Sequence, residues 1–192
     1  MPLYWHQIPS WQRDNQYILS GYRAVSNSFR KSFASLAHVH NESVNIYSHL
    51  IPAILISIFS IPLHTSLMAR HTDVSIADTI VLGSFALGAV MCLAMSAIFH
   101  TVQNHSPNIA RIANQMDYIG IVFLIVGSFV PSIFYGFYCH PMLQTVYLTM
   151  VCPEFSVYFH YWARELTRIC KITSLGLLCA AVSATPQFRH PT

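Results

Sequence analysis

Apolar residues along this chain gather in long runs separated by short polar stretches, instead of alternating or recurring on one helical face. A helix needs about 20 mostly apolar residues to cross the hydrocarbon layer of a bilayer, where no water is present to satisfy a bare peptide group. Three runs reach that length, at about 46–63, 76–100 and 116–138. A fourth, 142–162, is apolar enough but is interrupted by Pro153, Glu154 and His160. A carboxylate in mid-membrane costs on the order of 2 to 3 kcal/mol, which counts against that span. The pattern predicts an all-α polytopic transmembrane helix bundle of three to four spans over 46–162. Residues 1–45 are too polar to span. Within them Phe29, Phe33 and Leu36 fall at helical spacing, and the stretch Tyr22 to Leu36 reads either as an amphipathic helix lying on the membrane face or as an ordinary cytosolic helix or coil. Residues 163–192 form a tail, in which the apolar stretch Ile172 to Ala184 is 13 residues long. As a helix it would reach about 20 Å, short of the ~30 Å layer.

Composition sharpens the membrane reading. Only 17 of 192 residues are Asp, Glu, Lys or Arg, while 54% are hydrophobic and mean hydropathy is +0.45. Soluble globular chains carry about 25% charge. A disordered chain, a collagen-like fibre and a basic nucleic-acid-binding domain are excluded, and the net charge of +3 is too small and scattered for a phosphate-binding groove. The five cysteines form no CxxC pair and read as small apolar residues. The N-terminus lacks an apolar core behind a basic start, so the first span is expected to serve as the insertion signal. Positive segments tend to stay cytoplasmic. With the N-terminus inside, Arg13, Arg23, Arg30, Lys31, Arg111, Arg164, Arg168 and Lys171 lie on the inner side and only Arg70 on the outer. A cytoplasmic N-terminus is expected.

In the second span Ser84, Gly88, Cys92, Ser96 and His100 recur every four residues, a stripe of small residues that admits a neighbouring helix and ends in an imidazole. Ser96 and His100 share one face, and the following loop, through residue 115, brings Asp117 alongside them. An imidazole beside a carboxylate suggests zinc and an activated water, yet one histidine and one aspartate do not make a metal site. The alternative is a pair of boundary residues that reach headgroups or each other. His105 reads as a loop histidine, and His38, His40 and His49 as a hydrated interfacial patch. No His-Glu-x-x-His, Gly-x-Ser-x-Gly or phosphate-cradling loop is present.

The strings Asn41-Glu42-Ser43-Val44-Asn45-Ile46-Tyr47-Ser48-His49-Leu50, Met95-Ser96-Ala97-Ile98-Phe99-His100-Thr101 and Met116-Asp117-Tyr118-Ile119-Gly120-Ile121 occur in that order. Val126-Gly127-Ser128-Phe129-Val130-Pro131 and Tyr135-Gly136-Phe137-Tyr138 follow. Over about residues 20–150 the chain closely resembles the progestin and adipoQ receptor family, which includes the adiponectin receptors and is related to the haemolysin III proteins. The resemblance implies a seven-helix membrane fold with an inward N-terminus and zinc-dependent, ceramidase-like hydrolysis of lipid amides. It further implies that His100 is a zinc ligand, that Ser96 lies beside the zinc-bound water, and that Asp117 orients or deprotonates that water. Asn41, Glu42 and Asn45 match positions read as structural, capping the start of the first span.

The resemblance also implies a closing His-x-x-x-His pair on the last helix, and this sequence has none. Past Met150 only His160 and His190 remain, and neither reads as a substitute ligand. The chain is expected to be a truncated member, three spans short, with zinc binding in doubt for this chain alone. Three functions follow: a lipid amide hydrolase, a non-catalytic receptor, or a fragment acting through a full-length partner. Expected partners are membrane lipids, a lipid amide or sterol-like ligand, and further copies or full-length family members in an oligomer, with no nucleic acid. The expected location is the plasma membrane or an endomembrane.

Overall fold

The computed structural model describes residues 2–70 and 74–173. Four long helices follow a small N-terminal unit. The unit opens with a short antiparallel pair, β1 (Leu3–Tyr4) and β2 (Ser20–Tyr22), and continues through a helix of six residues, α1 (Phe29–Ala34). Then come α2 (Ser43–Arg70), α3 (Ile76–Val102), α4 (Pro107–Gly136) and α5 (Pro141–Thr173). Successive long helices pack side by side, with α3 between α2 and α4 and α5 against α4.

Among the described residues α2, α3 and α4 are long and apolar enough to cross a membrane. The chain is a multi-pass membrane protein; each of these helices overlaps one of the apolar runs, with α2 continuing to Arg70, past the expected end at 63. Two further boundaries differ in an instructive way. The second span extends to Val102, and α4 starts at Pro107, so residues 107–115 are helical and the intervening turn is only four residues long. Proline suits the first helical position, where its missing N–H costs no bond and its φ is already helical. The fourth run lies within α5, one continuous helix from Pro141 to Thr173 that extends into the stretch read as tail. The rest of that tail, with most of Ile172 to Ala184, lies outside the described residues.

The outward faces of the spans are greasy. Ile51, Ile54, Leu55, Ile58, Phe59, Ile61 and Leu63 all stand exposed on α2, as suits a rod whose solvent is lipid. Buried positions are mostly small or polar: Gly88, Ala89, Ser96 and Ala97 on α3, with Ala113, Gly120 and Gly127 on α4. A Cβ added to Gly88 would lie 2.6 Å from the Phe123 carbonyl oxygen, and one on Gly127 would lie 2.6 Å from that of Ser84. Only glycine permits the two backbones to come this close.

The expected interfacial helix over Tyr22 to Leu36 does not form as such. Tyr22 belongs to β2, helix α1 is confined to 29–34, and the segment is folded onto the α3–α4 turn instead of lying free. The Ser26 and Asn27 amides donate to the Asn104 and His105 carbonyls at 2.9 and 3.0 Å. The buried Asn104 side chain donates to the Ala24 carbonyl at 3.0 Å and accepts from the Ser32 hydroxyl at 2.9 Å. These bonds outcompete a longer helix, because serine and asparagine side chains offer backbone groups an alternative partner. The short β1–β2 pair is likewise an addition to the all-α expectation; its register is broken at Gly21, in the middle of β2, whose φ of +90° suits glycine.

Candidate functional site

The residues singled out from the sequence, Ser96, His100 and Asp117, lie towards the bundle end that carries the N-terminal unit, while His64–Thr79 and Tyr135–Asp78 pair at the other end. The α3–α4 contact fixes their register. Ser84 and Gly88 meet Gly127, Gly88 also meets Phe123, and Cys92 meets Gly120. Continuing one turn along these antiparallel helices sets half-buried Asp117 level with Met95, one residue from Ser96.

The stripe on α3 does not stay on one neighbour. Steps of four residues overshoot a 3.6-residue turn by about 40° each, so a strict four-residue repeat winds round the helix. Ser84, Gly88 and Cys92 face α4, whereas Ser96 and His100 have turned towards α2. There His100 Nδ1 lies 2.8 Å from Glu42 Oε2, and Ser96 Oγ lies 2.7 Å from His49 Nδ1. Two rungs thus join the start of α2 to the end of α3. The His100 ring is flanked by Phe99 and His49, with ring centroids 4.8 and 6.1 Å away, and its side chain is 17% exposed.

Ser96 and His100 therefore both face α2, and Asp117 stands on α4 near the level of Ser96. Their hydrogen-bond partners are α2 groups that sequence reasoning assigned elsewhere. His49 belongs to the site and not to a hydrated patch. Glu42 does cap α2 through its carbonyl, which accepts from the Ile46 amide at 2.9 Å, but its side chain reaches across to His100. A signal was present: Glu42, Ile46 and His49 share a helical face, and Ile46 between the two polar residues is fully buried. His105 sits in the α3–α4 turn, as read from the sequence, with its ring 4.4 Å from Phe29.

Glu42 is held from several sides. The Asn45 amide donates to Oε2 at 2.9 Å and the Asn41 amide donates to Oε1. Burial alone would push its carboxyl up, but the hydrogen bonds from His100 and Asn45, helped by the nearby Arg23 cation, prevail and hold it below the ordinary range. Asp14, which accepts from the Gln103 amide, is pushed up by burial and by the nearby Glu42 charge. Arg23 closes the end of α3. Its guanidinium donates to the His100 and Thr101 carbonyls at 2.6 and 2.8 Å and to the Ser35 hydroxyl at 2.9 Å. Burial draws its pKa down to about 10, so the cation persists at neutral pH, where it complements the negative end of the helix dipole.

His40 gives the unit a pH dependence. Burial, reinforced by the Arg23 charge, lowers its pKa from 6.5 to about 4. Because the folded form takes up its proton less readily than the unfolded one, stability is full above about pH 6.5 and falls as pH drops towards 4. Amide protection factors across residues 20–42, referred to the intrinsic exchange rate at each pH, should fall over that window, and His40→Gln should flatten the response.

As a metal site the donor set is incomplete. No group of three His, Cys, Asp or Glu side chains able to hold an ion occurs among the described residues. With Nδ1 engaged by Glu42, His100 retains one nitrogen, which fits a single ligand of a zinc centre and not the three protein ligands a catalytic zinc uses. His160 stands exposed on α5, and His190 lies outside the described residues.

The model of the haemolysin-III-related family matches residues 37–191 of the chain. The chain belongs to that family, with its progestin and adipoQ receptor and adiponectin-receptor-like members. It is 40% identical to the ADIPOR-like receptor IZH2 of Saccharomyces cerevisiae over 168 residues, 84% of this chain and 52% of the relative. With the adiponectin receptor protein of Drosophila melanogaster it shares 37% identity, covering 77% and 33% of the two chains. With human progestin and adipoQ receptor family member 3 it shares 31%, covering 91% and 59%. This haemolysin-III-related chain spans about a third to three fifths of the length of these curated relatives.

Proposed function

We propose that this protein acts in lipid and zinc homeostasis as an adiponectin-receptor-like membrane protein, and that Ser96, His100 and Asp117 form its share of a ceramidase-like site for lipid amides. The observation that carries the reading is the pair of rungs from α2 to α3. A span that lodges an acid-tethered imidazole and a histidine-bound serine at one depth invests in polar groups that lipid penalises, and such groups mark function by default. The distribution of Lys and Arg supports an inward N-terminus, which would set the site at the cytoplasmic side, near the depth of lipid headgroups and amides. The relatives' names support the receptor class.

In this reading His100 contributes one nitrogen ligand to zinc, which when bound supplies a Lewis acid and an acidified water. Asp117 holds a proton at its carboxylate, and Ser96, oriented by His49, donates or accepts a hydrogen bond beside the reacting group. The donors that complete the metal set come from a full-length family member in a hetero-oligomer. The test is complementation. Purified alone in nanodiscs, the chain should hold well under one zinc and release no fatty acid from ceramide. Co-expressed with a full-length relative inactivated at its own counterpart of His100, it should restore release. His100→Ala or Asp117→Asn in this chain should abolish the restoration. Ligand binding that survives both substitutions, without any restoration, would instead favour a receptor that performs no chemistry.

A further inference from the structure

We infer that Glu42 is a positioning residue that sets which nitrogen of His100 carries the proton. The inference rests on the reading of His100 as the chemically active imidazole, and deepens it. A neutral imidazole has one N–H and one bare nitrogen, and the hydrogen bond made by one decides the state of the other. Glu42 Oε2 stands 2.8 Å from His100 Nδ1 and, as a carboxylate, can only accept. Nδ1 therefore holds the proton and Nε2 presents its lone pair. Among the described residues no hydrogen bond engages Nε2.

The carboxylate is itself immobilised for this task. Asn45 donates to the same oxygen that receives His100, and Asn41 donates to the other. Ile46, fully buried one turn along, fixes the start of α2 against its neighbours. The ring is braced on two sides by Phe99 and His49, so its χ angles have little freedom to turn Nε2 towards Glu42. His49 makes its own bond to Ser96, independent of Glu42. One helix start therefore orients both polar side chains at the end of α3, and the acid governs only the imidazole. An acid that holds one nitrogen of an imidazole so that the other can act is the usual companion of a histidine ligand or base.

The experiment is nitrogen NMR on the full chain, labelled with isotopic histidine, in lipid nanodiscs at alkaline pH. The His100 signal is assigned by its loss in His100→Asn. The expected result is a ring protonated on Nδ1 with Nε2 bare. In Glu42→Ala the ratio of Nδ1–H to Nε2–H should fall by about tenfold or more, the scale of one charge-assisted hydrogen bond. Glu42→Gln, which keeps the shape, should shift the ratio in the same direction by less, because its amide oxygen can still accept from Nδ1–H, although without the charge. This milder variant serves if the alanine variant does not fold. The His49 signal should stay unchanged in both, separating a local effect from general loosening. A wild-type ring protonated on Nε2 alone, or on both nitrogens, would overturn the inference. So would a ratio that ignores both substitutions. None of these readings depends on hydrolysis, so a silent activity assay with the expected tautomer would count against the proposed function alone.

Discussion

Gly88→Ala and Gly127→Ala are each expected to destabilise the bundle by about 1–3 kcal/mol, although alanine is the better helix former. The added methyl of either would stand 2.6 Å from a carbonyl oxygen of the facing helix, a distance that only backbone movement can relieve. Separating α3 from α4 would also move Asp117 away from Ser96. The same change at Gly83 or Gly136, where a new Cβ meets nothing within 4 Å, should be neutral or stabilising by up to about 1 kcal/mol. Thermal unfolding of the four variants in one detergent checks the contrast. Since Gly88 and Gly127 touch, the double variant should not show the sum of the two losses. Equal effects at all four glycines would mean that the close helix contact is not what holds this pair together.

The second large effect is expected at Arg23. Arg23→Met keeps an apolar stem but strips the His100 and Thr101 carbonyls of their cationic donor, a loss of roughly 2–4 kcal/mol for two charge-assisted bonds. The bundle should persist while the N-terminal unit lifts away, so protease and solvent should reach residues 20–42 well before the spans unfold. Arg23→Lys should recover only part of the loss, because a single ammonium lacks the planar fork that serves three acceptors at once. Protection in Arg23→Met equal to wild type would show that the Asn104 bonds suffice to hold the unit in place.

What the sequence disclosed and what it withheld divide along a physical line. Spans α2, α3 and α4 were legible because length and apolarity are properties of one segment at a time. The small-residue stripe was legible as a close-packing face, and its drift from α4 to α2 follows from helix geometry once the neighbours are known. The start of α4 was misjudged because residues 107–115 are polar enough to read as loop, whereas Pro107 at the first helical position starts the helix. Glu42 and His49 escaped because their partners lie 58 and 47 residues away and depend on the register of α2 against α3, which one helix's pattern does not contain. Arg23 counted only as a charge for orientation, while its contacts with α3 depend on how a non-spanning segment folds back.

That fold-back carries a consequence for biosynthesis. Ser26, Asn27 and Ser32 find their partners at Asn104 and His105, more than seventy positions downstream, beyond two complete crossings of the bilayer. While the ribosome is still delivering α2 and α3, the leading forty residues have nowhere to dock. Until the turn after α3 emerges, this segment waits unassembled, open to chaperones or to premature cleavage. On this end of the bundle, the segment that settles last is therefore made before the helices that receive it.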